Sequence, residues 1–379
     1  MMKILNVAVC FCLIIGFLPV NKAAAFSMND ISAGSAVVIE LESGKVILEK
    51  NAYSKRQMAS TTKIMSTLLT LESGELDKKF TVDSEAIKVE GSSMGLCEGD
   101  IVTKRDLCYG MMLPSGNDAA NAAAVKVAGS VESFVSLMNK RAGEIGLENT
   151  HFVTPSGLDD DTDEHYSTAY DMAMLTRHAL QNEDFAKICS EQAVCLEYGN
   201  PPYKRWLYNS NKLLGNCEGV KGVKTGFTDK AGRCLVSFCE RDGVKLICVT
   251  LSAPNDWQDH KRMYNYAFSQ LCNIELPCDY YGFCLDVVGG EKSGIMCSVN
   301  DKPRATVYLT QVDKITCDVM LPKFVYAPVS QGEKVGQICF YCGDELISTA
   351  DITAREFVKA QEPEKKSIFD KIKDKFVFE

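Results

Sequence analysis

The chain has 379 residues, 46% hydrophobic and 24% charged, which is the composition of a folded protein and excludes wholesale disorder. At about 150 residues per domain, that length predicts two or three domains. With 41 basic and 50 acidic residues the net charge is −9, which argues against a dedicated nucleic-acid binder.

The N-terminus reads as an address. Lys3, the apolar run Ile4 to Val20 and the segment Asn21-Lys22-Ala23-Ala24-Ala25 predict a secretory signal peptide cleaved after Ala25. The run is broken by Pro19 and sits at the short limit for a membrane span, so an uncleaved anchor is the lesser reading. Next comes a β-hairpin, Ala36–Glu42 and Lys45–Glu49, alternating apolar and polar around a two-residue Ser43-Gly44 turn. A helix is predicted from about Ser60 to Ser73, with Ile64, Leu68 and Leu71 on its apolar face and Gly74 as its stop signal. Residues 100–190 read as mostly helical, with Ala119–Ala128, Val131–Ile145 and Thr168–Gln181 as candidates.

From Gly219 the period switches to two. Val220–Thr225, Arg233–Cys239 and Val244–Leu251 are three strands joined by turns at Asp229–Gly232 and Arg241-Asp242-Gly243. With the hairpin they predict a five-stranded antiparallel sheet carrying helices, an α+β fold with a helical subdomain. A helix from about His260 to Leu271 closes this first domain, residues 26–275. The strands Ala305–Thr310, Ile315–Leu321, Lys334–Tyr341 and Glu345–Ser348 predict a small β-rich domain over 276–360. Residues 361–379 are a linker and a short tail. There Ile368, Phe369, Ile372 and Phe376 form one helical stripe fringed by lysines, too short to span a bilayer but suited to lying on its surface.

Seventeen cysteines complicate export. Cys10 and Cys12 leave with the signal, and an odd number remains at a density far below that of a disulfide scaffold. Cys234, Cys239 and Cys248 sit where a strand buries a small apolar side chain, and most of the cysteines are read that way. Cys339-Phe-Tyr-Cys342 has metal or redox spacing but no companion pair. No metal and no cofactor are expected.

Three short motifs occur in order. Ser60-Thr61-Thr62-Lys63 is the only S-x-x-K in the chain, Ser115-Gly116-Asn117 is an S-x-N, and Lys224-Thr225-Gly226 is the only K-T-G. Ser60 and Lys63, three apart on a helix, share a face, so Lys63 can take the proton from the serine if it is neutral part of the time. Burial and the like charge of Lys224 would both lower its pKa. Ser115 can relay protons and hold a leaving nitrogen, and Asn117 can bond a substrate's backbone amide. Lys224 and Thr225 suit a substrate carboxylate, and Gly226 lets a substrate lie against the strand. Each motif alone is as well read as an N-cap, solvated lysines or a turn. All three in order, at a helix start, in a loop before a helix and on a strand, point to one site.

The set resembles the signature of penicillin-binding proteins and serine β-lactamases. Around it, Ala59–Met65, Leu113–Ala120 and Gly222–Thr228 look like the blocks of the D-alanyl-D-alanine carboxypeptidases, as do Asn149–Phe152, Pro155–Leu158, His165–Asp171, Asn209–Leu214 and Ala231-Gly232. The resemblance covers about residues 30–275 and, more faintly, the β-rich domain. It implies the penicillin-binding/β-lactamase-like transpeptidase fold and an acyl-enzyme mechanism. Ser60 would attack the carbonyl between two terminal D-alanines of a peptidoglycan stem peptide, with Lys63 as base. The backbone N–H groups of Ser60 and Phe227 would form the oxyanion hole. It further implies covalent inhibition by β-lactams, a place outside the cytoplasm at the cell wall or outer membrane face, and peripheral membrane contact through the tail.

Two departures stand out. Ser156 occupies a place where relatives often carry histidine, and Pro254–His260 lacks an arginine found in some members, with Arg262 following shortly. The histidines lack H-E-x-x-H spacing, which sets aside a zinc peptidase. The acidic run Asp159–Glu164 reads as a solvated loop. A β-lactamase and a catalytically idle wall-binding protein remain as alternatives.

Overall fold

The computed structural model describes residues 3–7, 26–159, 162–278 and 282–362. Most of the expected signal peptide and the expected amphipathic tail lie outside them. Contacts divide the described residues into two compact units, one within 26–272 and the other within 273–362 together with Lys3–Val7.

In the first unit, strands β1 (Ser35–Glu40), β2 (Val46–Lys50), β3 (Val220–Thr228), β4 (Gly232–Arg241) and β5 (Val244–Leu251) form one sheet. Its order is β2-β1-β5-β4-β3, antiparallel throughout, as the sequence predicts. The K-T-G strand β3 is therefore an edge. β1 is buried along its whole length, so its run Ala36-Val-Val-Ile39 is apolar on both faces. The first hairpin differs from expectation: β1 ends at Glu40, and Ile39 pairs with Val46 across a longer connection. There the Glu40 carboxylate accepts from the Ser43 N–H and hydroxyl at 2.7 and 2.6 Å, closing the turn a two-residue loop was expected to make.

Helix α1 (Lys63–Glu72) is buried from Lys63 to Leu71, the central helix of the unit. Around it stand α2 (Lys104–Met112), α3 (Asn117–Ala128), α4 (Val131–Glu144), α5 (Ala169–Ala179) and α6 (Glu183–Ser190). Their starts follow from local chemistry: Ser130, Thr168 and Asn182 cap α4, α5 and α6, and Thr103 with Asp106 forms a capping box on α2. The alanines of α3 are its packing surface, with Ala119, Ala120, Ala122, Ala123 and Ala124 at most 2% exposed.

Helix α7 (Asp256–Gln270) begins earlier than its apolar pattern announces, because its first turn is polar and buried. It is tied to the sheet by His260, whose Nδ1 and Nε2 bond Ser237 Oγ at 2.7 Å and Thr250 Oγ1 at 3.0 Å. A hairpin of Ala193–Gly199 and Pro202–Tyr208 was not anticipated at all.

The second unit is built on a seven-stranded sheet ordered Lys3–Val7, Ile315–Leu321, Lys334–Cys342, Glu345–Ala354, Gly294–Val299, Gly282–Val288, Phe324–Tyr326, while Arg304–Tyr308 pairs with Leu271–Glu275 in a separate two-stranded sheet. Its β-rich character was expected, but the strands at 282–288, 294–299 and 324–326 were not. Cys234, Cys239 and Cys248 are fully buried in β4 and β5. Burial pushes the Cys234 and Cys239 thiols up to about 12, the behaviour of inert core side chains. Among the described residues, no helix is long and apolar enough to cross a membrane.

Candidate active site

Ser60 lies in a 3-10 turn, Ala59–Thr62, that runs into α1. The sequence placed it at a helix start, and the tighter turn sets it just ahead of the α-helix. Ala59, directly before it, has φ +47°, a left-handed conformation that costs a non-glycine residue about 1 kcal/mol or more. The turn is held against three neighbouring segments.

The first is β3. A Cβ on Gly226 would stand 3.1 Å from Met58 O, Ser60 N and Thr61 N. Gly226 thus lets the edge strand pack closely on the serine's own turn, a constraint that the sequence reading did not foresee. The second is the loop Pro155–Leu158. Gly157 has φ +91°, and a Cβ there would stand 2.0 Å from Ala59 O and 2.9 Å from Ser60 N. Gly157→Ala is therefore expected to destabilise the fold by about 3 kcal/mol or more and to disorder the serine's turn. Thermal unfolding and penicillin labelling of the variant check this; a wild-type melting temperature would contradict it.

The third segment carries His165, fully buried. Val153 N–H donates to its Nδ1 at 2.9 Å, and its Nε2 lies 2.8 Å from Thr62 Oγ1. Thr62 spends its own proton on Ala59 O at 2.8 Å. These bonds fix a neutral imidazole with its proton on Nε2, and burial lowers its pKa to about 3. Sequence reading placed His165 in a matching block without giving it a role. His165→Asn retains an acceptor for Val153 but loses the donor to Thr62, whereas His165→Gln can keep that donor. The Asn variant is expected to acylate about tenfold more slowly than the Gln variant at similar stability. Equal acylation rates would separate His165 from the nucleophile.

Lys63 is the centre of the site and is fully buried. Its Nζ donates to Ser60 Oγ at 2.9 Å, Asn117 Oδ1 at 2.7 Å and the Ser156 carbonyl at 2.7 Å. Burial holds its pKa well below the usual lysine value, and the charge of Lys224 lowers it further, with Asp118 opposing. The Ser156 contact is made by its backbone carbonyl, so it does not depend on the side chain at that position.

Asn117 is the first residue of α3, not a loop residue. Its Oδ1 accepts from Lys63, while Nδ2 donates to Glu90 O at 2.7 Å. The side-chain amide thus braces Lys63 against the 90–96 loop. Asp118, next in sequence, accepts from the Met94, Gly95 and Leu96 N–H groups at 3.0–3.1 Å and fixes the same loop. Ser115, two residues before Asn117, is largely buried with φ +67°, a second strained residue at the site after Ala59.

On β3, Lys224 is fully buried, its Nζ donates to Thr225 O at 2.9 Å, and burial lowers its pKa to about 7. Thr225 Oγ1 lies 2.7 Å from Ser210 Oγ, a partner that sequence reading missed. Phe227 is paired with Arg233 across the ladder and leaves its ring exposed. The acidic run is not simply solvated: Asp159 is buried and accepts from Thr228 Oγ1 at 3.2 Å, and Lys230 donates to Thr162 O at 2.8 Å. The segment therefore links the serine's turn to the end of the K-T-G strand. Arg262 donates to Asp30 O, and the segment before it places Asp256 on Arg233, so neither supplies an arginine to these residues.

A serine bonded to a buried lysine whose pKa burial lowers, between an S-x-N helix start and a K-T-G edge strand, defines a serine peptidase of the penicillin-binding type. Residues 21–255 match the family described as D-alanyl-D-alanine carboxypeptidase, and residues 285–360 match the C-terminal domain of penicillin-binding protein 5. D-alanyl-D-alanine carboxypeptidase DacF of Bacillus subtilis is 31% identical, with 86% of each chain covered. Among solved structures, penicillin-binding protein 5 from Haemophilus influenzae gives a TM-score of 0.67 at 27% identity, over 87% of this chain and 98% of that one. The Streptomyces K15 DD-transpeptidase gives 0.60 at 32% identity, over 63% of this chain and 98% of that one. The chain belongs to the D-alanyl-D-alanine carboxypeptidase family.

Proposed function

We propose that this chain removes the terminal D-alanine from peptidoglycan stem pentapeptides through an acyl-enzyme on Ser60. The observation that carries the reading is the Lys63 Nζ–Ser60 Oγ bond of 2.9 Å, made by a lysine whose pKa burial holds well below the usual value. In this mechanism neutral Lys63 takes the Ser60 proton as Oγ attacks the penultimate carbonyl. The developing oxyanion is met by the N–H groups of Ser60 and Phe227. Ser115 passes a proton to the leaving D-alanine nitrogen, and Asn117 holds Lys63 in place. Lys224 and Thr225, the latter with Ser210, receive the substrate's terminal carboxylate, for which the ammonium must be charged. Water then releases the shortened peptide.

Residues 26–275 form the catalytic domain in this reading, 276–360 the β-rich domain, and 361–379 a linker and membrane-surface tail. The chain acts outside the cytoplasm, at the wall or the outer face of the cytoplasmic membrane. β-Lactams, as substrate mimics, acylate Ser60. A fluorescent penicillin separates the readings: stable labelling at Ser60 supports the peptidase, rapid turnover a β-lactamase, and no labelling an idle wall binder. Sedimentation with anionic liposomes tests the tail, since loss of residues 363–379 should release the protein to the supernatant.

A further inference from the structure

The unanticipated hairpin has two unlike faces. On the inner one, Tyr198 and Leu207 are buried, and Tyr198 OH donates to Met94 O at 2.7 Å. Arg205 lies 4.2 Å from the ring centroids of Tyr198 and Tyr203 and pairs with buried Asp100 at 3.1 Å. These contacts clamp the hairpin to the segment 94–100. The outer face is open. Trp206 and Tyr208 are 61% and 65% exposed, with ring centroids 6.4 Å apart and planes within 22°. Their partners across the ladder are the small Cys195 and Ala193, which do not rise beside the rings. The next pair along is Lys204 with Glu197, which leaves the face without net charge.

The shelf also adjoins the site. Tyr208 is two residues before Ser210, whose hydroxyl lies 2.7 Å from Thr225 Oγ1. Two residues span at most about 7 Å. We propose that Trp206 and Tyr208 form a binding shelf for the hexose rings of a glycan strand. A pyranose ring presents an apolar, slightly positive C–H face that stacks on the negative face of an aromatic ring, while its hydroxyls stay in water. Two nearly parallel rings 6.4 Å apart on one face of the strand offer stacking places for two successive sugars. The charge-balanced face favours a neutral polymer over an anionic one. Two rings are also far short of the roughly 800 Å² per partner that a stable protein interface buries.

The inference rests on the carboxypeptidase reading for what brings a glycan here. With the terminal carboxylate at Lys224 and Thr225 and the scissile carbonyl at the Phe227 N–H, the stem peptide runs away from Ser210. Extended, its five residues carry its own sugar about 17 Å in that direction. The shelf, at the carboxylate end, therefore holds a neighbouring glycan strand and keeps the enzyme on the wall mesh.

The test compares wild type, Trp206→Ala/Tyr208→Ala and Trp206→Phe. Each is titrated with the N-acetylglucosamine tetramer by calorimetry and assayed for D-alanine release from a soluble pentapeptide and from isolated wall sacculi. Wild type and Trp206→Phe should bind the tetramer and the double variant should not. The double variant should also lose about tenfold on sacculi and nothing on the soluble peptide. Tetramer binding that is absent in wild type or unchanged in the double variant, or equal rates on sacculi, would overturn the shelf. So would a dimer in solution that the double variant dissociates. If wild type cut neither substrate, the carboxypeptidase reading would fail while the titration still decided the shelf.

Discussion

Ser60→Ala is expected to abolish both D-alanine release and covalent penicillin labelling while leaving the fold intact. The hydroxyl is the only group at this position able to form an ester, and removing a serine peptidase's nucleophile costs on the order of 10⁶-fold in rate. The fold should survive because the turn does not depend on that oxygen. Ser60 Oγ accepts one bond, from Lys63, and Lys63 keeps Asn117 Oδ1 and the Ser156 carbonyl. The packing against Gly226 and Gly157 is made by backbone atoms. Gel fluorescence with a labelled penicillin and a thermal melt read the two halves of the prediction. Retained covalent labelling in the variant would place the nucleophile elsewhere.

Lys63→Ala should slow acylation by about 10²–10⁴-fold, the usual worth of a positioned general base. The pH profile then distinguishes the two buried lysines. Lys63 acts neutral, so acylation should rise with pH through its lowered pKa. Lys224 acts charged, and since burial sets its pKa at about 7, substrate capture should fall as pH rises through that value. Lys224→Arg keeps a charge at every working pH, so it should weaken capture by its changed shape and remove the alkaline fall. Stability runs the other way. The unfolded chain holds a proton on Lys224 that the folded chain releases, so this group's contribution to stability improves from about pH 7 to about 10.5. An alkaline limb unchanged in Lys224→Arg would contradict the division of labour.

What could be read from sequence follows where side chains and burial agree. β3, β4 and β5 were legible as runs of strand-forming residues bounded by turns at Asp229–Gly232 and Arg241-Asp242-Gly243, and α1 because its apolar spacing ends at Gly74. The 193–208 hairpin was not, because its pattern is inverted: charged Arg205 faces inward between two tyrosines while Trp206 and Tyr208 face water. Helix α7 hid its first turn in the same way, with Asp256 and Asp259 buried against Arg233 and the Ser32–Ala33 backbone. At the site, the three motifs named the residues that meet. Only the coordinates show Asn117 bracing Lys63, or Gly157 and Gly226 closing on Ala59 and Ser60, because those contacts are to backbone atoms that no motif spells out.

The central claim is a serine-dependent carboxypeptidase, and it is tested most directly by incubating the mature protein with a peptide ending in D-Ala-D-Ala and measuring free D-alanine. The account predicts one D-alanine released per peptide cut, none from Ser60→Ala, and a burst stopped by prior exposure to penicillin. D-alanine release that persisted undiminished in Ser60→Ala, or its absence from a wild-type protein that binds penicillin stably, would contradict it.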